Sequence, residues 1–212
     1  MFDPAEYGDF SASFYDQLYP NVERGLVDTL RTLCGPGPAL DLGIGTGRIA
    51  IPLLHCGVDI HGIEASSCMI RSLRAHAGGE NLPVLQGDFS ETSFGKKYQL
   101  IYSMVSTFLL LPELHLQQRC FFNISNHLNK GGYFVSEIYE SDNKFPEIDS
   151  NIIPVITYEG PKEYRVTSLS TPLHMLDEMA ITAGLKLITR WKDWQKNLYA
   201  HGGPRHISVY GL

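Results

Sequence analysis

Apolar positions at Leu18, Val22, Leu26, Leu30 and Leu33 recur at spacings of three and four, the period of an amphipathic helix over residues 10–33. Pro20 interrupts that stripe, so a short helix followed by a second one is expected. The run Cys34-Gly-Pro-Gly-Pro38 is turn chemistry. Beyond it the pattern alternates. Short apolar runs at 39–42, 58–63, 84–86, 98–104 and 133–139 read as strands, and helical periods at 48–56, 66–77 and 114–128 fall between them. Strand, turn and helix repeated in this way imply an α/β fold. They predict a doubly wound, mostly parallel sheet with right-handed crossovers and helices on both faces.

The pattern changes after residue 140. Residues 141–171 carry Pro146, Pro154 and Pro161 and read as irregular, with possible strands at 155–158 and 164–167. Thr171-Pro172 is a helix start, an N-cap residue followed by proline at the first position, and Gly184 is a stop. Two further strands are predicted at 185–194 and 206–210, joined through a Gly-Gly-Pro turn.

Length and charge narrow the class. A chain of 212 residues suits one domain and buries enough surface to need no disulfide or metal staple. Seventeen basic against 23 acidic residues leave a formal charge of −6, which argues against a partner held by phosphate neutralisation. Cys34, Cys56, Cys68 and Cys120 are widely spaced, with no Cys-x-x-Cys and no His at ligand spacing, so reduced thiols and no metal site are expected. The opening MFDPAEYGDF has neither the basic nor the apolar region of a secretory signal, and no apolar run reaches a membrane span. A cytoplasmic protein, monomeric or homodimeric, with no membrane or nucleic-acid partner is the expectation.

The chemistry concentrates in Ala39-Leu-Asp41-Leu-Gly43-Ile-Gly45-Thr-Gly47-Arg, a buried strand running into three glycines and then a helix. Glycine permits the tight turn and the close approach of a ligand to the backbone. The spacing G-x-G-x-G brings the third glycine one residue earlier than the dinucleotide fingerprint. Asp41 would repel a pyrophosphate and suits a cation or an ammonium group. Glu64 lies 21 residues after Gly43, at the tip of the next strand, where a carboxylate can accept both hydroxyls of a ribose. Gly87-Asp88-Phe89 follows the third strand; Asp88 can accept from an adenine amino group and Phe89 can stack on the ring.

Leu-Asp-Leu-Gly-Ile-Gly-Thr-Gly, Gly-Ile-Glu-Ala-Ser with Met69 five residues after the Glu, and Gly-Asp-Phe in register resemble class I S-adenosylmethionine-dependent methyltransferases. The resemblance covers about residues 10–140, and the tail fits the family's closing hairpin. It implies a seven-stranded Rossmann-like sheet with an antiparallel C-terminal strand and S-adenosylmethionine as cofactor. Gly43 and Gly45 would pass close to its methionine part, Glu64 would bind its ribose, and Asp88 and Phe89 its adenine, with Asp41 and Gly47 also counted among the cofactor-binding residues. Ala65 and Met69 would flank the ring, and Ser103 and Met104 would lie beside the donor. Phe14-Tyr15-Asp-Gln-Leu-Tyr19-Pro is similar to the Tyr-Asp-x-x-Tyr segment of small-molecule members, in which it caps the cofactor and faces the acceptor. After the fourth strand the chain has Ser103-Met-Val-Ser-Thr-Phe-Leu instead of the Asn/Asp-Pro-Pro-Tyr acceptor motif, which argues against nucleobase methylation.

Methyl transfer is a displacement at a sulfonium carbon, so the protein mainly supplies position and electrostatics, with a base only for a protonated acceptor. Tyr15, Glu137 and Tyr139 are the candidate catalytic residues at strand ends and on the lid. Ser106, Tyr19, His174, His201 and His206 are further acceptor-side candidates, and Trp191 and Trp194 are either packing or substrate wall. The chain then divides into lid helices at 1–33, a cofactor-binding core at 39–140, an acceptor-pocket insertion at 141–171, and a C-terminal helix and hairpin at 172–212. The expected function is methyl transfer to an oxygen or nitrogen of a small molecule. The alternatives are a nicotinamide-dependent oxidoreductase and a non-catalytic cofactor-binding module.

Overall fold

The computed structural model describes residues 3–139, 145–157, 160–200 and 202–212. Seven strands form one sheet: β1 (Ala39–Leu42), β2 (Ile60–Glu64), β3 (Val84–Gln86), β4 (Tyr98–Ser103), β5 (Leu128–Tyr139), β8 (Lys186–Trp191) and β9 (Arg205–Gly211). Their order is β3-β2-β1-β4-β5-β9-β8. β1 pairs in parallel with β2 and β4, and β4 pairs in parallel with β5. β9 runs antiparallel between β5 and β8. This is the doubly wound sheet with an antiparallel C-terminal strand that the pattern and the resemblance predicted.

The helices are α1 (Glu6–Ser11), α2 (Tyr15–Leu18), α3 (Leu26–Cys34), α4 (Ala50–His55), α5 (Ser67–Ala75), α6 (Leu114–His127) and α7 (Leu173–Thr182), with a 3-10 turn at Thr107–Leu110. Two apolar cores lie on the two sides of the sheet. One joins α3 and α4 to Leu100, Tyr102 and Val135. The other joins α6 and α7 to an aromatic cluster of Phe108, Phe121, Phe134 and Tyr210. β1 is buried at all four positions, because both of its faces are covered. The strand order reverses between β1 and β4, and the crevice beyond the carboxyl ends of such strands is where open α/β sheets take ligands.

Residues 141–171 depart from the irregular reading. β6 (Glu147–Thr157) and β7 (Gly160–Ser170) form a long antiparallel ribbon, in register from Glu147 opposite Ser170 to Thr157 opposite Gly160. Pro154 and Pro161 lie inside it. A two-stranded ribbon has only edges, so a proline whose missing N–H faces outward does not break the ladder. Its Val166 packs with Phe14, Tyr7 and Leu18 beside α1 and α2. The N-cap reading at Thr171 also changes. α7 begins at Leu173, and the Thr171 hydroxyl donates instead to the Gln117 carboxamide oxygen at 2.8 Å.

Candidate functional site

The carboxyl ends of β1, β2 and β4 open into a pocket of about 570 Å3. It is lined by Gly43 and Gly45 from the glycine loop, Glu64, Ala65 and Met69 from the β2–α5 connection, and Asp88 and Phe89 after β3. Tyr7, Gly8 and Tyr15 close it from the N-terminal helices, and Thr107, Leu110 and Leu111 form its far wall. A second space of about 330 Å3 shares Tyr15, Gly43, Gly45 and Thr107 as walls and adds Asp41, Arg48, Met104 and Val105.

Glu64 ties the site together. One carboxylate oxygen accepts the Gly45 N–H at 2.9 Å and the other accepts the Ser66 N–H at 2.9 Å. Burial pushes this carboxyl above its ordinary range, while the backbone donors of Ser66, Gly45 and Ala65 pull it down. The carboxylate keeps acceptor capacity for a further donor in the pocket. Gly43 has φ of +77°, and a Cβ there would lie 2.5 Å from Thr107 Cγ2. Gly45 has φ of +57°, yet a Cβ there meets nothing closer than 3.9 Å. A side chain at Gly43 would thus collide with the protein, and one at Gly45 would fill open space in the pocket. The open space at Gly45 fits a ligand lying against this bend, with hydroxyls for Glu64.

Asp41 stands at the floor of the second space and is buried. Burial pushes its carboxyl up to about 8, the nearby Glu64 charge adds to the rise, and Tyr102 and Arg48 pull it down. A buried carboxyl of this kind accommodates an incoming ammonium group, which supplies the missing positive partner. Arg48 lies over the Tyr19 ring at 5.5 Å and donates to the Asn21 carbonyl at 2.8 Å. Burial also pushes the Tyr15 hydroxyl up to about 12.

The two N-terminal helices are fastened at two aspartates. Asp9 accepts the Ser66 hydroxyl at 2.6 Å, and Ser66 in turn caps α5 by accepting the Met69 N–H at 3.0 Å. Asp16 accepts the Thr46 hydroxyl at 2.7 Å and pairs with His76 at 3.3 Å. At Gly8 a Cβ would lie 2.5 Å from Ser66 Cβ, so α1 seats directly on the β2–α5 connection.

The predicted residues sort by this geometry. Tyr15, Asp41, Gly43, Gly45, Glu64, Ala65, Met69, Asp88, Phe89 and Met104 line the two joined spaces. Tyr19, Gly47 and Ser103 do not. α2 ends at Leu18, and Tyr19 turns to a separate surface hollow on the outer side of the loop with Asp16, Arg48 and His76. Gly47, with φ of +83°, is required because a Cβ there would overlap the Leu73 side chain. Ser103 is buried, its hydroxyl without a hydrogen-bond partner among the described residues. Asp88 is partly engaged elsewhere: it accepts the Ser90 N–H at 2.8 Å and an Arg119 N–H at 3.3 Å.

Acceptor-side expectations also sort. Glu137 is 3% exposed and lines neither space; its oxygens accept Trp194 Nε1–H at 3.0 Å, Arg205 at 3.1 Å and the Val105 N–H at 3.2 Å. Tyr139 is exposed at the end of β5, with Arg205 over its ring at 5.7 Å. The Ser106 hydroxyl accepts the Tyr139 N–H at 2.9 Å. His206 is buried, burial lowers its imidazole to about 3, and Nδ1 lies 2.9 Å from the Ser208 hydroxyl, so it is a neutral interior group. His174 is exposed on α7, and His201 lies outside the described residues. Trp191 and Trp194 are buried packing residues. Sequence reasoning missed Tyr7, Gly8, Arg48 and Thr107. Only Arg48, next to the last glycine, carried a signal in its spacing.

Val105 and Ser106 are the second unexpected feature. Both are left-handed, with φ of +53° and +58°, directly after β4. For a β-branched valine this is a genuine outlier, costing on the order of 1–3 kcal/mol.

Residues 39–132 match the family model of the methyltransferase domain. The cypemycin N-terminal methyltransferase of a Streptomyces species is 26% identical over 137 residues, which is 62% of this chain and 56% of that relative's own length. Among solved structures, the CcbJ methyltransferase of Streptomyces caelestis superposes with a TM-score of 0.85, covering 100% of this chain and 99% of that one at 24% identity. The glycopeptide N-methyltransferase MtfA, solved with S-adenosylmethionine, gives a TM-score of 0.65 over 89% of this chain and 93% of that one, at 17% identity. Among the described residues no helix is long and apolar enough to cross a membrane.

Proposed function

We propose that this chain is a class I S-adenosylmethionine-dependent methyltransferase that transfers a methyl group to an oxygen or nitrogen of a small molecule, supported by the methyltransferase-domain match and the shared fold. The observation that carries the reading is the Glu64 carboxylate, held at the mouth of the glycine bend by the Gly45 and Ser66 N–H groups and facing the larger pocket. Glu64 would hold the ribose, Asp88 and Phe89 the adenine between Ala65 and Met69, and Asp41 with Arg48 the two charges of the amino-acid end. When bound, the cofactor supplies an electrophilic methyl on a sulfonium centre. The chain supplies orientation and a dry enclosure. Tyr15 closes both spaces from the lid, and Met104 and Thr107 bound the donor side.

Nitrogen is the favoured acceptor atom within this reading. The cypemycin enzyme is named as an N-terminal methyltransferase and MtfA as a glycopeptide N-methyltransferase. A neutral amine needs no general base, and neither space is lined by a histidine. Residues 141–171 we assign to the acceptor side, because the ribbon packs on the 3-10 turn and the lid that border the pocket.

Thermal unfolding with S-adenosylmethionine, S-adenosylhomocysteine and NAD added separately tests the cofactor. A ligand at a hundred times its Kd adds roughly 2.7 kcal/mol, so the first two should raise the melting temperature clearly and NAD should not. Stabilisation by NAD alone would overturn the reading. Transfer of labelled methyl to amine and hydroxyl acceptors then tests the reaction. Tight cofactor binding with no transfer across a broad screen would favour a cofactor-binding module.

A further inference from the structure

We infer that Glu137 is a positioning residue for methyl transfer: its carboxylate holds the left-handed Val105–Ser106 turn that sets the donor-side wall of the site. This rests on the functional reading above. Two consecutive non-glycine residues do not adopt positive φ unless the surroundings over-determine them, and strain of this kind concentrates beside functional sites.

The over-determination is visible around β5. Glu137 holds the turn twice, through its carboxylate on the Val105 N–H at 3.2 Å and through its main-chain carbonyl on the Ser106 N–H at 2.9 Å. Tyr139, two residues on, donates its N–H to the Ser106 hydroxyl at 2.9 Å. The other carboxylate oxygen is fixed by Trp194 and Arg205. Beyond the turn, Thr107 abuts Gly43, so the wall and the glycine bend are set by one contact. A shift of the turn moves Met104 and Thr107 together, and both border the space between Asp41 and Tyr15.

The carboxylate is required as such. Three N–H donors converge on its two oxygens, and a glutamine has only one acceptor. In either flip, E137Q sets an amide N–H against a donor, Val105 in one case and Trp194 with Arg205 in the other. Arg205 is not orphaned by the change, because it also pairs with Glu23 at 2.6 Å. A glycine at 105 adopts positive φ without strain, so V105G relieves the turn of its dependence on the clamp.

The test compares the parent, E137Q and E137Q/V105G. In E137Q the acceptor and cofactor KM values should stay within about threefold while kcat falls roughly a hundredfold, the scale of a misplacement near 1 Å. E137Q/V105G should regain at least about tenfold of that loss, which no direct acid–base role of Glu137 would allow. The Val105 amide resonance of the cofactor-free protein should move and lose exchange protection in E137Q. An unmoved, protected Val105 amide, or a rate loss that V105G leaves untouched, overturns the inference. If E137Q fails to fold, V105G should restore folding in the double variant, and failure to do so is equally fatal. The amide readout needs no acceptor, so it separates failure of the clamp from failure of the functional reading, which the absence of any methyl transfer by the parent would mark.

Discussion

The Gly45 amide donates to Glu64 at 2.9 Å, joining the bend after β1 to the tip of β2 through a single side chain. Residues 19 apart in the chain thereby form one surface, and the carboxylate that faces the pocket also holds the backbone against which a ligand would lie.

That double role makes Glu64 the most sensitive position of the cofactor site. Replacing it by alanine leaves the N–H groups of Gly45 and Ser66 without their acceptor and, on the proposed reading, removes the partner of the ribose hydroxyls. Each such loss is worth about 1–3 kcal/mol. Calorimetric titration with S-adenosylhomocysteine should show E64A weakened at least about tenfold. Unchanged affinity would place the cofactor elsewhere.

The two glycines of the bend should respond differently to the same methyl group. G43A meets Thr107 and a φ of +77°, so it should destabilise the fold by more than the 1–2 kcal/mol typical of a strained left-handed residue. At about 2–4 °C per kcal/mol, the melting temperature should drop by several degrees, and T107A should recover part of it. G45A has open space around its Cβ, so it should fold at a smaller cost and lose affinity for the cofactor instead. Melting curves with and without S-adenosylhomocysteine separate the two outcomes.

These contrasts show what the linear pattern reveals and what it hides. Strand and helix periods placed β1 and β3 at their observed bounds and most other strands within about two residues, because a doubly covered strand must be apolar and its crossover helix must be amphipathic; β5 begins five residues earlier than expected, at Leu128, and β8 ends three residues earlier, at Trp191. The glycine bend, Glu64 and Asp88 were legible from strand-end positions. Gly43 and Gly47 look alike in the sequence, yet one faces Thr107 and the other Leu73, a distinction that only packing draws. Glu137 at a strand end was equally compatible with a pocket or a clamp. Of the β6–β7 ribbon only the stretches at 155–158 and 164–167 read as strands, and its full length was hidden by prolines, which are breakers in a central strand but tolerated in a two-stranded ribbon.

Asp41 predicts a proton linkage. Its buried carboxyl titrates at about 8, far above the ordinary value of 3.8, so the ligand-free protein holds a proton there at neutral pH. The native state binds more protons than the unfolded chain between those values, so this group lowers stability as pH rises from about 4 to about 8. An ammonium group favours the ionised form, and cofactor binding should release a proton. Affinity should rise with pH between about 5.5 and 7.5, a range in which an α-amino group of ordinary pKa near 8 stays mostly charged. Calorimetry in buffers of different ionisation enthalpy should detect the released proton for the parent and not for D41N. Equal proton release in both would assign it to another group.

The lid makes a kinetic prediction. Asp16 joins α2 to the glycine bend through Thr46 and to the end of α5 through His76, while Tyr15 beside it closes both spaces. If the site opens by movement of α2, as a lid would, opening breaks these contacts. The Asp16–Thr46 bond is worth about 1 kcal/mol, a factor of about five in a rate or an equilibrium. D16A should therefore release S-adenosylhomocysteine about fivefold faster in stopped-flow displacement, while methyl transfer in a single turnover changes little. D16N keeps an acceptor for Thr46 but loses the charge facing His76, so its release rate should fall between those of the parent and D16A. Release unchanged in D16A would mean that the lid opens about a different contact, and the Asp9–Ser66 pair would then be the one to break.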